Sequence, residues 1–519
     1  MEEFYGREKE LALLQRIYDR ERSKTCVVYG RRQVGKSSLI RRFVSDKDSL
    51  VVEFDRTTPA MNNRLLMDAV GKLTGRNFHD CTLRDAMEAL ENLCRVRKMV
   101  IVMDEFPYLA KDNPMAVSEV QHLVDHLKRE TDSMVIICGS SISMMLDQIR
   151  DYDSPIYGRF TFELELEPFR LEEARMFHPS MPDRDSLSLY LTIGGIAAYN
   201  AAIGDTSYED AVNRYILSRQ SYIASDVIVN FSAEVGSRAP EAQAVLRSIA
   251  SGDNTYGAMK KATGLSDTPF QDCLNRLTAI GLIRKNDSML RTRKSKIYTI
   301  DDYAASFCYH VVNRYTSSMA DDMAYKALRT VISTHLGRMF ERYCRDLIAR
   351  SYPCTEAGSW WGEIGSIDEY GNYTNEETDV DVIAILRNGN DRITLFGECK
   401  YSGAPMGFSA LNKLTGKAEA LRGGRSVRLA LFCPAGFEEE LVEYAETEGV
   451  LLFDLDVLVG KKPVPKVFRC VRPDMRDIRC ILDSRILLAV STTSAEEYFP
   501  PDCLITEPMT LLMALSFLA

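Results

Sequence analysis

No stretch of the 519-residue sequence reaches the run of about eighteen apolar residues that a membrane-crossing helix needs, and the opening MEEFYGREKE has neither a basic leader nor an apolar core. A cytoplasmic protein without a membrane contact is the expectation. There is no CxxC pair either: the thirteen cysteines are scattered, and Cys26, Cys138 and Cys308 fall inside apolar runs. Without a secretion signal, such cysteines read as reduced packing residues and argue against disulfides or structural zinc. Low-complexity tracts and internal repeats are also lacking, and 45% hydrophobic with 27% charged residues is the balance of folded protein. Positive charge is in deficit. A formal net charge of −10 excludes a uniformly basic coat, so any contact with DNA has to come from a local patch.

The length points to about three or four domains. From Thr25 to about Leu166 the apolar runs TCVVY, LVVEF, MVIVM, MVIIC and FTFELEL alternate with helical patterns, the signature of an α/β doubly wound, mostly parallel sheet over residues 1–166. Residues 167–235 lack strand candidates, contain GGIAAYN at Gly194–Asn200, and read as a helical lid. Residues 236–300 read as three short helices and a hairpin. Val245, Leu246 and Ile249 fit one helix, Tyr256 to Ala262 a second, and Phe270, Leu274, Leu277 and Ile280 a third, with Ser266 and Asp267 at its start and Gly281 at its end. LIRKNDSMLRTRKSKIYTI then gives two strands around a basic turn, which is the winged-helix arrangement. A helical connector over 301–335 leads to a second α/β region over 336–460. The last segment, 461–519, has no assigned role.

Residues Gly30 to Ser37, GRRQVGKS, follow the first apolar strand and open a helical run. A phosphate chain needs several backbone N–H donors in one concavity and a cation, and such a loop supplies both. Gly30 and Gly35 allow close approach, Arg31, Arg32, Gln33 and Val34 complete the loop with Ser38 behind it, Lys36 reaches the β and γ phosphates, and the Ser37 hydroxyl ligands Mg²⁺. The second half of an ATP site is an acid at the end of another buried strand. KMVIVMDEFPYL provides Asp104 for the Mg²⁺ shell and Glu105 to orient or deprotonate water; the competing role for both is to cap the following turn. Ser140 or Ser141, after the next strand, is a candidate sensor of the γ-phosphate, against an ordinary N-cap. Arg159 in SPIYGRF is a candidate arginine finger, acting within the chain or across an oligomer, against an ordinary surface arginine.

FYGREKEL, GRRQVGKS, VIVMDEFPYL, CGSSISMM, SPIYGRF and GGIAAYN together resemble the archaeal-type P-loop ATPases, a branch of the AAA+ and STAND-like proteins. The resemblance covers about residues 1–300 and implies an ATPase core, a lid and a winged helix in that order. Ala197 stands where the family usually has proline.

A second set of residues lies downstream. Asp381 in ETDVDVIAIL is followed seventeen residues later by Glu398, and Lys400 stands on the same face of the LFGECKY strand. Hydrolysing a phosphodiester with Mg²⁺ needs carboxylates at strand ends and a lysine near the water, and Glu341 on LGRMFERYCRDLI can add a further acid. The competing reading is an exposed Glu398–Lys400 ion pair on an edge strand. The order of these elements resembles the domain of unknown function that commonly closes archaeal-type ATPases, itself similar to PD-(D/E)XK nucleases, a restriction-endonuclease-like fold. Asp379 stands where that domain usually has glutamate and Tyr401 where it usually has tryptophan.

The helix QDCLNRLTAIG is nearly neutral, with Gln271, Asn275 and Arg276 as its polar face, whereas Arg284, Lys285, Arg291, Arg293, Lys294 and Lys296 face only Asp287 in the hairpin. That wing is an electrostatic footprint for DNA phosphates, against use as a packing or protein-contact module. The expected ligands are ATP and Mg²⁺, the expected partner is DNA through the winged helix and the nuclease-like domain, and a homo-oligomer follows if Arg159 acts in trans. Two functions compete: an ATP-dependent enzyme acting on DNA through a Mg²⁺-dependent nuclease-like domain, and a nucleotide-dependent switch or scaffold that binds DNA or a protein without cutting.

Overall fold

The computed structural model describes residues 4–467 apart from 21–23, 141–144, 146–151, 153, 219, 236–237, 291–295, 314–323, 368–372 and 390. Ser141, Arg291, Arg293, Lys294 and residues 468–519 therefore lie outside the described residues.

Five strands, β1 (Thr25–Tyr29), β2 (Ser49–Glu53), β3 (Val100–Asp104), β4 (Met134–Gly139) and β5 (Phe162–Glu165), form one parallel sheet in the order β2-β3-β4-β1-β5. Every residue of β1, β3 and β4 is buried, which is why these strands read as unbroken apolar runs. Helices Pro59–Thr74, Leu83–Val96 and Pro114–Glu130 pack Leu66, Leu90 and Leu123 into the same core as Ile101 and Ile137. Cys26 and Cys138 sit inside the sheet, and burial pushes both thiols up, Cys26 to about 12, so they are unreactive packing residues.

From Leu171 to Val235 the described elements are all helical, including the lid helices Asp183–Ile193 and Ala197–Ile203 and the helix Tyr222–Val235. Three helices, Ala239–Ala250, Tyr256–Thr263 and Asp267–Ala279, then lead to an antiparallel hairpin of β6 (Ile283–Asp287) and β7 (Lys296–Ile300). The second helix is capped by Thr255, whose hydroxyl accepts from Ala258 N, and ends at Gly264 in the left-handed region.

The third unit is a separate mixed sheet. Its strands are β8 (Cys354–Ile367), β9 (Tyr373–Asn388), β10 (Asp391–Cys399), β11 (Ser426–Phe432) and β12 (Leu451–Phe453), in the order β12-β11-β10-β9-β8. β9 pairs antiparallel with both β8 and β10, while β10, β11 and β12 are parallel. The 28-residue helix Ala324–Ser351 packs on β8 and β9, and Phe408–Leu421 contributes Leu411 and Leu414 to a core with Phe396 and Leu431.

Candidate nucleotide site and C-terminal acid cluster

The loop Gly30–Gly35 leaves the carboxyl end of β1 and turns into the helix Lys36–Val44, so its N–H groups lie at a helix N-terminus beside a sheet edge. Glycine is required where it stands: Gly30 has φ +150°, and a Cβ there would sit 2.3 Å from the Leu166 carbonyl oxygen. Gly35 has φ +100° and Gln33, not a glycine, has φ +63°. The buried Lys36 ammonium donates to the carbonyls of Gly30 and Arg31, 2.8 Å each. Those bonds hold the cation inside the curl of the loop.

The carboxyl ends of β3 and β4 complete the arrangement. The Ser37 hydroxyl donates to Asp104 Oδ2 at 2.7 Å, and Glu105 N donates to Asp104 Oδ1 at 2.9 Å. Glu105 itself has φ +52°, a conformation that costs a non-glycine residue about 1 kcal/mol and here turns its side chain toward Ser140. Ser140 donates to Glu105 Oε2 through both its hydroxyl, 3.0 Å, and its backbone N–H, 3.3 Å. Ser140 thus positions a carboxylate in addition to bordering the cavity.

That cavity, about 900 Å³, is lined by Lys36, Ser37, Glu105 and Ser140 and by Tyr5, Phe177 and Pro179. Tyr5 packs on Phe177 with ring centroids 4.8 Å apart. Arg7, which pattern reasoning did not single out, is buried with φ +68° and clasps the loop: it donates to the carbonyls of Val34 (3.1 Å) and Glu167 (2.7 Å), 4.0 Å over the Phe169 ring. No periodicity marks such a residue; only the motif FYGREKEL points to it. Gln33 donates to Asp226 at 3.0 Å, Arg31 pairs with Asp302 at 2.7 Å, and the lid helix N-terminus donates from Ala198 N to Gln33 O at 3.2 Å.

Arg159 is not brought to this site. Its carbonyl accepts from Thr25 Oγ1 at 3.0 Å, at the end of β1 opposite the loop, about 13 Å away at some 3.3 Å per residue. Its Nε lies 3.1 Å from both Asp125 carboxylate oxygens. The expectation of a finger acting within the chain is corrected by that distance and that pairing.

The model of an "ATPase domain predominantly from Archaea" matches residues 4–199, and that of "Archaea bacterial proteins of unknown function" matches 306–412. An uncharacterized protein of Methanocaldococcus jannaschii is 25% identical over 413 residues, 77% of this chain and 87% of the relative. A second from the same organism is 33% identical over 101 residues, 18% of this chain and 98% of the relative. The chain belongs to the archaeal-type P-loop ATPase family. Among solved structures, the Walker-type ATPase of Pyrococcus abyssi matches with TM-score 0.47 and 18% identity over 59% of this chain and 96% of that one. The ORC2 protein of Aeropyrum pernix matches with TM-score 0.44 and 16% identity over 64% and 95%.

In this ATPase the downstream acids come together from three elements. Asp381 on β9 accepts from Cys399 N at 2.8 Å, and the Arg345 guanidinium of the long helix donates to its carbonyl at 2.8 Å. Burial, then repulsion from Asp381, pushes Glu341 up to about 8; burial, then repulsion from Glu398, pushes Asp381 up to about 6. Glu398 is 14% exposed on β10, an interior strand between β9 and β11, so it is no edge-strand residue. Lys400 lies 3.7 Å from its Oε1 and is 53% exposed. A second lysine, missed by the strand pattern, faces the same acid: Lys417 Nζ on the helix Phe408–Leu421 is 3.8 Å from Glu398 Oε2, 4.0 Å from Asp379 Oδ1, and donates to the Asp379 carbonyl at 2.7 Å.

Raised carboxyl values have a measurable consequence. Both acids bind protons more tightly folded than unfolded, where carboxylates titrate near pH 4. Their stability contribution is therefore complete at low pH and is lost as pH rises through about 6 for Asp381 and about 8 for Glu341. Thermal midpoints should fall across that window, and Glu341→Gln should flatten its upper half. The effect is modest, because the Glu341 side chain keeps 36% exposure and solvent screens it. Identical pH slopes for wild type and variant would contradict this.

The hairpin departs from expectation. Arg284 pairs with Asp301 (3.1 Å) and Asp346 (3.4 Å), so its charge is already matched. The segment after β6 docks on β8: Met289 N donates to Ser359 O, Ser288 Oγ to Trp361 O and Trp361 N to Ser288 Oγ, each at 3.0 Å, and Met289 and Leu290 pack against the C-terminal core. Lys285 and Lys296 remain exposed. On the third helix Gln271 donates to Asn275 at 2.9 Å, and Arg276 reaches the Val235 carbonyl at 3.4 Å.

Proposed function

We propose that this protein hydrolyses ATP at the carboxyl ends of β1, β3 and β4 and that its C-terminal acid cluster is a Mg²⁺-dependent phosphodiesterase site acting on DNA. The loop N–H groups with Lys36 take the phosphates. Glu105, held by Ser140, orients and deprotonates the attacking water. Ser37 and Asp104 fit Mg²⁺, since the hydroxyl and the carboxylate that share its shell lie 2.7 Å apart. When bound, the ion neutralises charge on the phosphates. Tyr5 and Phe177 offer aromatic surface for a base within the same cavity.

The observation that carries the effector reading is that Glu341, Asp381 and Glu398 lie close enough to raise one another's carboxyl values, with Lys400 and Lys417 on Glu398. Among the described residues no three His, Cys, Asp or Glu side chains stand close enough to hold a metal ion by themselves. Mg²⁺ needs only one or two carboxylates, with water and substrate phosphate filling the shell, and Asp381 with Glu341 or Glu398 supplies those. Such an ion would polarise a phosphoryl oxygen. Lys400 and Lys417 are the cations able to position water or phosphate beside it.

The hairpin with its three helices is read as a winged helix whose exposed contribution to DNA is Lys285, Lys296 and the Gln271–Asn275 face, with Arg293 and Lys294 as further cations. Supercoiled, linear and single-stranded DNA incubated with the full chain, ATP and Mg²⁺ or Mn²⁺ tests the proposal: nicking is expected, and weakens in Lys417→Met at least as far as in Lys400→Met. DNA left intact under every condition would leave the nucleotide-dependent switch or scaffold in its place.

A further inference from the structure

We propose that nucleotide at Gly30–Ser38 is transmitted to the C-terminal acid cluster through two positioning contacts, Arg31–Asp302 and Ser188–Tyr401, an inference that rests on reading that cluster as the effector site. The first contact begins in the phosphate loop. Lys36 donates to the Arg31 carbonyl, and the Arg31 guanidinium pairs with Asp302 at 2.7 Å. A triphosphate competes for the Lys36 ammonium, and a bond given up at the Arg31 carbonyl frees the backbone of the residue whose guanidinium holds Asp302.

Asp302 is placed to pass that competition on. Its other oxygen caps the helix Tyr303–Phe307, accepting from Ala305 N at 2.6 Å, and it directly follows Asp301 at the end of β7. Asp301 pairs with Arg342 of the long helix at 3.1 Å and with Arg284 of β6 at 3.1 Å. Arg342 also lies 4.4 Å over the ring of Tyr303, and its chain neighbour is Glu341 of the acid cluster. One two-residue step, Asp301–Asp302, thus joins the phosphate loop, the hairpin and the acid-bearing helix. Asp301 Oδ1 is shared between the two guanidinium groups, 3.1 Å from each.

The second contact runs through the lid. Ser188 on the helix Asp183–Ile193 shares a 2.6 Å hydrogen bond with Tyr401 OH, and Arg184 of the same helix donates to Ser402 O at 2.7 Å. Tyr401 and Ser402 directly follow Lys400. The lid is itself fastened to the loop by Ala198 N donating to Gln33 O. Movement of the lid over nucleotide would displace the segment that carries Lys400. Both contacts converge on the same acid cluster from opposite sides of the chain order, and ligand effects between two such sites are reciprocal.

The protein carries its own reporter. Its two tryptophans, Trp360 and Trp361, both lie on β8, where Ser288 of the hairpin bonds Trp361. Tryptophan emission of the full chain is measured as a non-hydrolysable ATP analogue with Mg²⁺ is added, with binding of the analogue followed separately by equilibrium dialysis. Wild type should change emission in step with binding, and Lys36→Ala should not. Asp302→Asn keeps an N-cap acceptor, so it should fold and bind the analogue yet lose about half or more of the emission change; Tyr401→Phe should lose part of it. Unchanged emission in wild type with the analogue bound overturns the proposal, as does full response in both variants. DNA cleavage persisting beside a silent emission would defeat the coupling alone, whereas a responsive emission without cleavage would uphold the coupling and defeat the phosphodiesterase reading.

Discussion

Lys36→Ala is expected to lose ATP hydrolysis by at least about 100-fold and to weaken nucleotide binding to the limit of detection. The size follows from where the side chain is. Lys36 is buried, and its ammonium is held inside the loop by two carbonyls at 2.8 Å, a position that a methyl group leaves without charge. Removing one preorganised donor to developing charge costs about 10²–10³ in rate on its own. Phosphate release from Mg²⁺–ATP measures the first effect and equilibrium dialysis the second; full activity in the variant would end the P-loop account.

Asp381→Asn should abolish metal-dependent nicking of plasmid DNA while leaving ATP hydrolysis within about two-fold of wild type. Asp381 is the middle of the three acids: repulsion from it raises Glu341, and Glu398 in turn raises Asp381. An amide of the same shape still accepts the Cys399 N–H bond, so the β9–β10 junction is kept, but the charge that a divalent cation needs is gone. Because the change relieves like-charge repulsion, the variant should be no less stable than wild type near pH 8. Gel electrophoresis of supercoiled substrate reads the loss, and nicking by the variant at the wild-type rate would remove Asp381 from the site.

Local chemistry was readable in the chain; long-range pairing was not. The five strands of the first sheet stand out because strands covered on both faces are continuous apolar runs, and GRRQVGKS carries its own geometry in consecutive residues. The short pattern Glu341, Asp381, Glu398 does not mark itself; the expectation that a helix and two strands carry these acids leaned on the surrounding elements and on the resemblance to the nuclease-like domain. Lys417 escaped because it comes from a helix, where strand alternation gives no clue. Arg7 reaches a carbonyl 160 residues away, and Arg31 a carboxylate 271 residues away; neither bond leaves a trace in spacing. Six cations in the hairpin looked like one basic surface, yet Arg284 is spent on Asp301 and Asp346, and the neighbouring Ser288–Leu290 segment is docked on β8. Arg159 shows the same limit, since a strand's two ends read alike until the sheet assigns one of them to the loop.

Nucleotide binding and phosphate release, measured on the same preparations of wild type and Glu105→Gln, test the central claim that the carboxyl ends of β1, β3 and β4 form an ATP-hydrolysing site. The Asp104–Glu105–Ser140 geometry predicts equal affinity for Mg²⁺–ATP and phosphate release reduced by about 100-fold or more in the variant, because the amide keeps the Ser140 bonds but accepts no proton from water. Undiminished phosphate release from Glu105→Gln would contradict it.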